Sequence, residues 1–335
     1  MLSGFKEMNK TYRLLIIAAL FVLAVACKQN TATNTSTSGI AKISCDESFR
    51  NILDQEVEVF EYSYPDASIM VNYTDEASAL DSLMHKKVDL IITSRDLTDQ
   101  QRDILQKQGR AHRSRKIAVD AVAVIVNTAN DIDELSMSEL KEIFTGHSRK
   151  WGQLFPTTLK RDSIKIVLDH SGSGLMHYLK DKFTEGRDFG NTITFFAQKS
   201  TEDVFKAVMG NKNAIGFVGV SWITADMKAT EKTMEQRIDE LKNKNEVSVI
   251  DFTDKIKVLA IRADDQITAR KPYQAYINTG EYPLFREIWA IDASAGGTLD
   301  HGFFSFLTGV IGQKIILQTG ILPAAEPVRY VEAVK

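Results

Sequence analysis

A short turn of serine and glycine residues in the middle of the chain has the composition of an anion-binding site. It lies in the stretch Leu168–Leu179 (LDHSGSGLMHYL), directly before the start of a predicted helix. Backbone N–H groups at a helix N-terminus point away from the helix and attract negative charge. Asp169 stands at the opening of this turn, and an acid there is favourable only if the bound anion still carries a proton that the carboxylate can accept.

The elements that must position this turn are strands and helices in alternation. Four short apolar runs are typical of strands that are covered on both faces. They are VDLIIT (Val88–Thr93), IAVDAVAVIV (Ile117–Val126), IKIVL (Ile164–Leu168) and AIGFVGV (Ala214–Val220). Thr98 with Gln101, and Ser136 with Glu139, have the spacing of capping boxes and predict two helix starts. The alternation predicts a mostly parallel sheet in an α/β fold.

Two polar segments lie at the carboxyl ends of predicted strands. Ser94–Arg95 follows the first apolar run, and Asp169–Gly174 follows the third. Ligands of α/β folds bind beyond the carboxyl ends of the strands. These two segments are therefore the first candidates for a binding site.

The N-terminus has the pattern of an export signal. Three basic residues precede thirteen apolar residues, Leu14–Ala26, and then Cys27. An apolar run of that length fits a signal-peptide core and is too short to span a bilayer. The sequence around Cys27 is similar to a bacterial lipoprotein signal, in which cleavage before the cysteine leaves it to carry lipid; an ordinary signal peptide with a chance cysteine is the alternative. Residues 1–26 are predicted to be the signal peptide, and residues 27–39 a polar, flexible tether.

Length and charge restrict the functional classes. Removing 26 of the 335 residues leaves 309, which is enough for two lobes of ordinary size. The whole chain has a net charge of −3, and loss of the three basic and one acidic residues of the signal peptide makes it −5. No basic excess is available for binding nucleic acid. If Cys27 carries lipid, Cys45 is the remaining thiol and no internal disulfide can form.

The chain contains six sequence blocks that resemble, in the same order, those of the substrate-binding proteins of phosphate ABC transporters. LSMSELKEIFTGHSRKW (Leu135–Trp151) is similar to the family pattern L-T-x-x-E-L-x-x-I-F-x-G-x-x-x-x-W, and VDLIITSRDLT is similar to V-D-I-x-x-x-S-R-x-L. The other four blocks are AVDAVAVIVN, NAIGFVGV, EYPLFREIW and FFSFLTGVIGQKIILQTGILP. Together they cover nearly all of the chain from Ile40 to Pro323.

The resemblance implies the type II periplasmic-binding-protein fold, in which two α/β lobes joined by crossing hinge strands close on a ligand. Residues 40–126 and 282–335 would form lobe 1, and residues 127–281 would form lobe 2. The implied function is that of an extracytoplasmic solute-binding lipoprotein that captures hydrogen phosphate and delivers it to an ABC transporter permease. We expect a periplasmic monomer, anchored to the membrane through lipid on Cys27.

The resemblance also assigns candidate ligand-binding residues. Ser48 and Phe49 match the hydroxyl residue and the following backbone N–H of the family's first loop. Ser94 and Arg95 match a pair of residues that follows the second strand of the family's fold. Such donors are required because each polar group left without a partner in a closed cleft costs several kcal/mol.

The remaining candidates include departures from the family pattern. Ser173 and Gly174 match the first two residues of its S-G-T, while Leu175 replaces the threonine and loses a hydroxyl donor. Asp169 occupies the place of an arginine, and Glu76 falls where the family commonly has a serine. These departures bring two carboxylates to a site that resembles an anion site.

Two hypotheses account for these acids. Two unit charges about 4 Å apart interact by about 4 kcal/mol at an effective dielectric constant of about 20, so two carboxylates facing a dianion are unfavourable. In the first hypothesis, Arg95 supplies the cation and Asp169 accepts the proton that hydrogen phosphate carries and sulfate lacks. Glu76 then pairs with Arg95 or points away. In the second, the chain is a diverged scaffold or sensor domain that binds another ligand or none.

A purely structural role stays open for both acids. Asp169 could serve equally as the partner of a nearby backbone group or of His170, and we expect Glu76 to be structural rather than in contact with ligand.

The sequence contains no motif that indicates an enzyme or a metal site. Its six histidines show no H-x-x-x-H spacing and no pairing with cysteines. The Gly172–Gly174 turn lacks the G-x-S-x-G order of a nucleophile elbow. We therefore expect no catalytic residue, no metal and no other cofactor.

Overall fold

The computed structural model describes residues 34–189, 193–223, 235–236 and 255–325. The predicted signal peptide, Cys27 and the first part of the predicted tether lie outside these ranges. Within them, no helix combines the length and the apolar character that crossing a membrane requires.

Strands and helices alternate through most of the described chain. The strands are β1 (Gly39–Asp46), β2 (Ala67–Thr74), β3 (Leu90–Thr93), β4 (Arg113–Asn127), β5 (Glu134–Ser136), β6 (Lys165–Leu168), β7 (Thr194–Ala197), β8 (Ala214–Gly219), β9 (Ile256–Val258), β10 (Ala260–Arg262), β11 (Phe285–Asp292) and β12 (Leu322–Pro323). The helices are α1 (Arg50–Ser63), α2 (Glu76–Met84), α3 (Asp99–Lys107), α4 (Met137–Thr145), α5 (Gly174–Thr184), α6 (Thr201–Met209), α7 (Gln274–Asn278), α8 (Leu299–Leu307) and α9 (Val310–Gln318).

The main sheet is mixed and is built around one long strand. Its order is β2-β1-β3-β11-β4-β8-β6-β7, with β9 and β12 also pairing with β4. The outer strands are parallel, β1 with β2 and β3, and β6 with β7 and β8. β4 and β11 run antiparallel to their neighbours, so the prediction of a mostly parallel sheet is wrong at its centre. The reason is that the chain leaves the first half of the sheet through β4 and returns through β11 in the opposite direction.

Local sequence signals locate several of these elements. β3, β4, β6 and β8 lie at the four apolar runs. β4 begins earlier than its apolar run, because the polar residues from Arg113 onwards pair with β11. Both predicted capping boxes are present, at Thr98 with Gln101 before α3 and at Ser136 with Glu139 before α4.

The core covers both halves of the sheet. In the first half, Phe60 packs edge to face against Phe303, with the ring centres 5.1 Å apart. In the second half, Phe144 stacks on Phe183 with the ring centres 4.8 Å apart. The fully buried segment 121–126 of β4 belongs to the same apolar cluster as both groups. The predicted lobe boundaries stay a prediction.

One buried acid on α1 has no hydrogen-bond partner among the residues that the structure describes. Glu56 is fully buried, and neither of its carboxyl oxygens is bonded within the described part of the chain. The side chains around it are apolar: Phe49, Ile52, Leu53, Ile92, Ile117, Ile288, Leu307 and Ile316. Burial raises the pKa of Glu56 well above its ordinary value, so the fold accommodates the neutral acid.

We expect Glu56→Gln to stabilise the protein at neutral pH. The unfolded chain ionises this residue above a pH of about 4.3, so wild-type stability falls as the pH rises from there towards the raised folded pKa. Glutamine carries no such penalty, and the free energy of unfolding should rise by about 1–3 kcal/mol at pH 7. Near pH 4 the gain should disappear.

Urea unfolding at both pH values measures this difference. Glu58→Gln, on the exposed side of the same helix, is the matched control. A gain of the same size at pH 4 and pH 7 would show that ionisation of Glu56 is not its cause.

Candidate functional site

The carboxyl ends of four strands meet at the N-terminus of α5. β1 leads into a short 3-10 helix, Glu47–Phe49, and β2 leads into α2, which begins at Glu76. β3 is followed by Ser94–Arg95, and β6 is followed by the turn Asp169–Ser173 that precedes α5. β1, β2 and β3 belong to one half of the sheet and β6 to the other. The site is therefore a cleft between the two halves.

Gly174, the first residue of α5, lies at the centre of this cleft. Its N–H donates a 2.6 Å hydrogen bond to Asp46 Oδ2. A Cβ atom at this position would lie 2.5 Å from Glu76 Oε2 and 2.8 Å from Asp46 Oδ2, so the close approach requires glycine. Ser173 is the N-cap of the helix, and its hydroxyl accepts from the N–H of Met176 at 3.1 Å.

Asp46 binds the donors of the first loop. Its Oδ1 accepts from the backbone N–H of Ser48 at 2.9 Å and from the Ser48 hydroxyl at 2.7 Å. With the Gly174 contact, this fully buried carboxylate is bonded to three donors from both halves of the cleft. Asp46 is not among the residues that the sequence motifs predict. The signal that could have found it is an acid two residues before a candidate donor.

Glu76 binds the donors that follow β3. It is fully buried, and it accepts from the Ser94 hydroxyl through Oε2 and from Arg95 Nε through Oε1, the latter at 2.5 Å. The Arg95 side chain is 47% exposed, so the guanidinium lies at the mouth of the cleft. The structure thus contains the Arg95–Glu76 pair, which is one of the two arrangements of Glu76 that the first hypothesis allows.

Asp169 is buried at the other side of Gly174. Its Oδ1 accepts a 2.5 Å hydrogen bond from the Ser173 hydroxyl, while Oδ2 has no partner in the described ranges. Burial and, next, the negative charge of Asp46 raise the pKa of Asp169 to about 7. Both protonation forms of this acid are therefore populated near neutral pH.

A buried ion pair lies beneath the cleft. Asp120 on β4 accepts two hydrogen bonds from Arg286 on β11, at 3.1 and 3.3 Å. The central carbon of the Arg286 guanidinium lies 4.4 Å from the centre of the buried Phe49 ring. Burial raises the pKa of Asp120 although Arg286 opposes the shift. No sequence motif predicts Arg286, because its contact with Asp120 depends on the pairing of two crossing strands.

Three further contacts join the first loop and the start of α1 to the second half of the fold. Trp222 Nε1 donates to the carbonyl oxygen of Ser48 at 2.7 Å, and the Ser221 hydroxyl donates to Asn51 at 3.3 Å. His170 Nε2 lies 3.8 Å from Glu47 Oε2. Together with the Asp46–Gly174 hydrogen bond, these contacts hold the cleft in a closed form.

Five of the predicted donor residues come together, and each of the five is bonded to a carboxylate of the protein itself. Ser48 and Gly174 are bonded to Asp46, Ser94 and Arg95 to Glu76, and Ser173 to Asp169. Such a cleft can store a proton and can present several donors to an oxyanion if the carboxylates release them. Among the described residues, no group of three or more His, Cys, Asp or Glu side chains is arranged to hold a metal ion.

Comparison with known sequences places the chain in a family. The PBP superfamily domain matches residues 30–309. The phosphate-binding protein PstS of Bacillus subtilis is 26% identical over 329 residues, which cover 95% of each chain. The phosphate-binding protein PstS of Staphylococcus epidermidis RP62A is 25% identical over 272 residues, covering 80% of this chain and 74% of the relative.

Solved structures agree with this assignment at the level of the fold. A Clostridium perfringens phosphate ABC transporter substrate-binding protein with bound phosphate aligns with a TM-score of 0.63 and 20% identity, covering 86% of this chain and all of the other. A phosphate transport receptor from Vibrio cholerae gives a TM-score of 0.58 and 19% identity, with 85% and 100% coverage. The chain therefore belongs to the PBP superfamily and has the α/β periplasmic-binding-protein fold.

Proposed function

We propose that the protein is an extracytoplasmic solute-binding protein that captures inorganic phosphate, as hydrogen phosphate, between two lobes and delivers it to an ABC transporter. The observation that carries this proposal is the convergence of Ser48, Ser94, Ser173 and Gly174 on one point between the two halves of the sheet. The PstS relatives, named as phosphate-binding proteins, support the choice of ligand.

The proposed binding chemistry divides the roles among neutral donors, one cation and one acid. Hydroxyl and backbone N–H groups at the N-terminus of α5 and in the first loop satisfy the oxyanion without adding much positive charge. Arg95 supplies the cation at the mouth. Asp169, whose Oδ2 has no other partner in the described ranges, accepts the proton of hydrogen phosphate. The ligand is bound and released without chemical change, so the protein is not an enzyme.

The proposed location follows from the N-terminal sequence. Residues 1–26 direct export and are removed, Cys27 carries the lipid, and the tether of residues 27–39 separates the membrane from a monomeric binding domain. The protein is then a periplasmic lipoprotein within reach of its permease.

A second candidate is a scaffold or sensor that retains the fold and binds another ligand or none. The observation that favours it is that the predicted phosphate donors are bonded to Asp46, Glu76 and Asp169. A ligand must displace these carboxylates before it can use the same donors.

Titration calorimetry of the purified mature chain distinguishes the two candidates. For a phosphate receptor we expect a dissociation constant of about 1 µM or tighter for phosphate and little binding of sulfate. Absence of heat, together with an unchanged melting temperature with either anion, would exclude the receptor. Injection of each anion into buffer alone is the control.

Asp169→Asn should reduce discrimination between phosphate and sulfate. Because the wild-type pKa is raised to about 7, Asp169 is mostly charged at pH 8 and repels sulfate, and is mostly neutral at pH 6. The wild-type ratio of phosphate to sulfate affinity should therefore rise between pH 6 and pH 8. In the variant the ratio at pH 8 should fall by about tenfold or more and lose this rise.

Competition titrations at both pH values measure these ratios. Asp181→Asn, on the exposed side of α5, is the matched control. If Asp169→Asn leaves the ratio unchanged at pH 8, Asp169 is not the proton acceptor.

Arg95→Ala should weaken phosphate binding by about tenfold and more than Glu76→Ser does, because it removes the cation from the mouth of the cleft. Arg102→Ala is a matched control, since the Arg102 side chain is 40% exposed and is paired with Asp96 at 2.7 Å. The affinity is measured by the same calorimetry. A larger loss for Glu76→Ser than for Arg95→Ala would show that the ligand-binding residues are wrongly assigned.

A further inference from the structure

Asp46 occupies the donors that an oxyanion would need. Its Oδ2 accepts from the N–H of Gly174 at 2.6 Å, and its Oδ1 accepts from the N–H and the hydroxyl of Ser48 at 2.9 and 2.7 Å. These donors lie on opposite halves of the cleft. One carboxylate thus binds both the helix N-terminus and the first loop, as a bound anion would.

Asp46 and Glu76 leave little space for a further oxyanion beside Gly174. A single methyl group on Gly174 would approach Glu76 Oε2 to 2.5 Å and Asp46 Oδ2 to 2.8 Å. The two carboxylate oxygens are therefore no more than 5.3 Å apart, the sum of these two distances. Entry of another anion requires the Asp46 carboxylate to move away from the N–H of Gly174.

The negative charge of the site also requires the Asp46 carboxylate to move when an anion binds. Asp46, Glu76 and Asp169 are all buried within the cleft, while Arg95 is half exposed. An oxyanion placed beside an ionised Asp46 would meet like charge at short range in a region of low dielectric constant. Moving the Asp46 carboxylate away from these donors relieves the steric conflict and lessens the electrostatic one.

We propose that Asp46 limits the affinity of the site, as an internal carboxylate that competes with the oxyanion ligand for the N–H of Gly174 and the donors of Ser48. This inference rests on the proposed function, because it concerns the same cleft. Asp46 lowers the affinity for every oxyanion, and an anion binds only when its own hydrogen bonds outweigh those that Asp46 loses. The competition raises the ligand concentration at which the protein becomes loaded.

Neutral replacements of Asp46 test the competition. Asn and Ser both retain a side-chain oxygen that can accept from the N–H of Ser48, so the 3-10 helix keeps its N-cap. We expect Asp46→Asn and Asp46→Ser to bind both phosphate and sulfate about tenfold more tightly than the wild type does. Titration calorimetry with the two anions on the mature chain gives the affinities, and thermal unfolding shows that each variant is folded.

Asp103→Asn, on the exposed side of α3, is the control for loss of one negative charge far from the cleft. Tighter binding of both anions by the folded Asp46 variants supports the inference, even if the wild type binds neither. In that case the proposal that the wild type captures phosphate fails, while the inference that Asp46 competes with oxyanions is supported. Unchanged, weaker or absent binding of both anions by the folded variants overturns it. Weaker phosphate binding with tighter sulfate binding also overturns it, since Asp46 would then be a direct phosphate ligand.

Discussion

The constraint on which the site depends is that three buried carboxylates occupy its hydrogen-bond donors. A desolvated carboxylate that lacks both donors and a proton is strongly unfavourable. Asp46 and Glu76 each bind donors from neighbouring loops, whereas Asp169 has one hydroxyl and a raised pKa. A ligand of this cleft meets the same constraint, because the carboxylates hold the donors that it needs.

The fold supplies this arrangement through its two crossing strands. β4 and β11 carry Asp120 and Arg286, whose buried ion pair lies directly beneath Phe49. Removing one member of such a pair would leave an uncompensated charge away from water, so the base of the cleft tolerates little change. At the mouth, Arg95 is half exposed and its attraction to Glu76 is weakened by solvent and salt. The mouth can therefore rearrange at lower cost than the base.

The sequence predicts the features that depend on neighbouring residues better than those that depend on distant ones. Apolar periodicity and capping boxes are local signals, and they located β3, β4, β6 and β8 and the starts of α3 and α4. The family resemblance predicts Ser48, Ser94 and Ser173 as ligand-binding residues, and the structure brings them to one cleft. The antiparallel centre of the sheet, Asp46 and Arg286 were missed. The centre of the sheet and the position of Arg286 depend on which distant segments pair, and neither residue spacing nor local composition contains that information. The contact of Asp46 with Ser48 has a local signal in the spacing of the two residues, whereas its contact with Gly174 has none.

The acids of the cleft are consistent with selection for a protonated ligand. Arg95 stands beside Glu76, which limits the charge that an anion would meet there, and Asp169 can accept a proton. A fully ionised dianion brings no proton to share and would face repulsion from each ionised carboxylate. A ligand that donates a hydrogen bond to Asp169 turns one of these repulsions into an attraction. The excess of acidic side chains in such a cleft would therefore lower the affinity for oxyanions and favour protonated oxyanions over unprotonated ones.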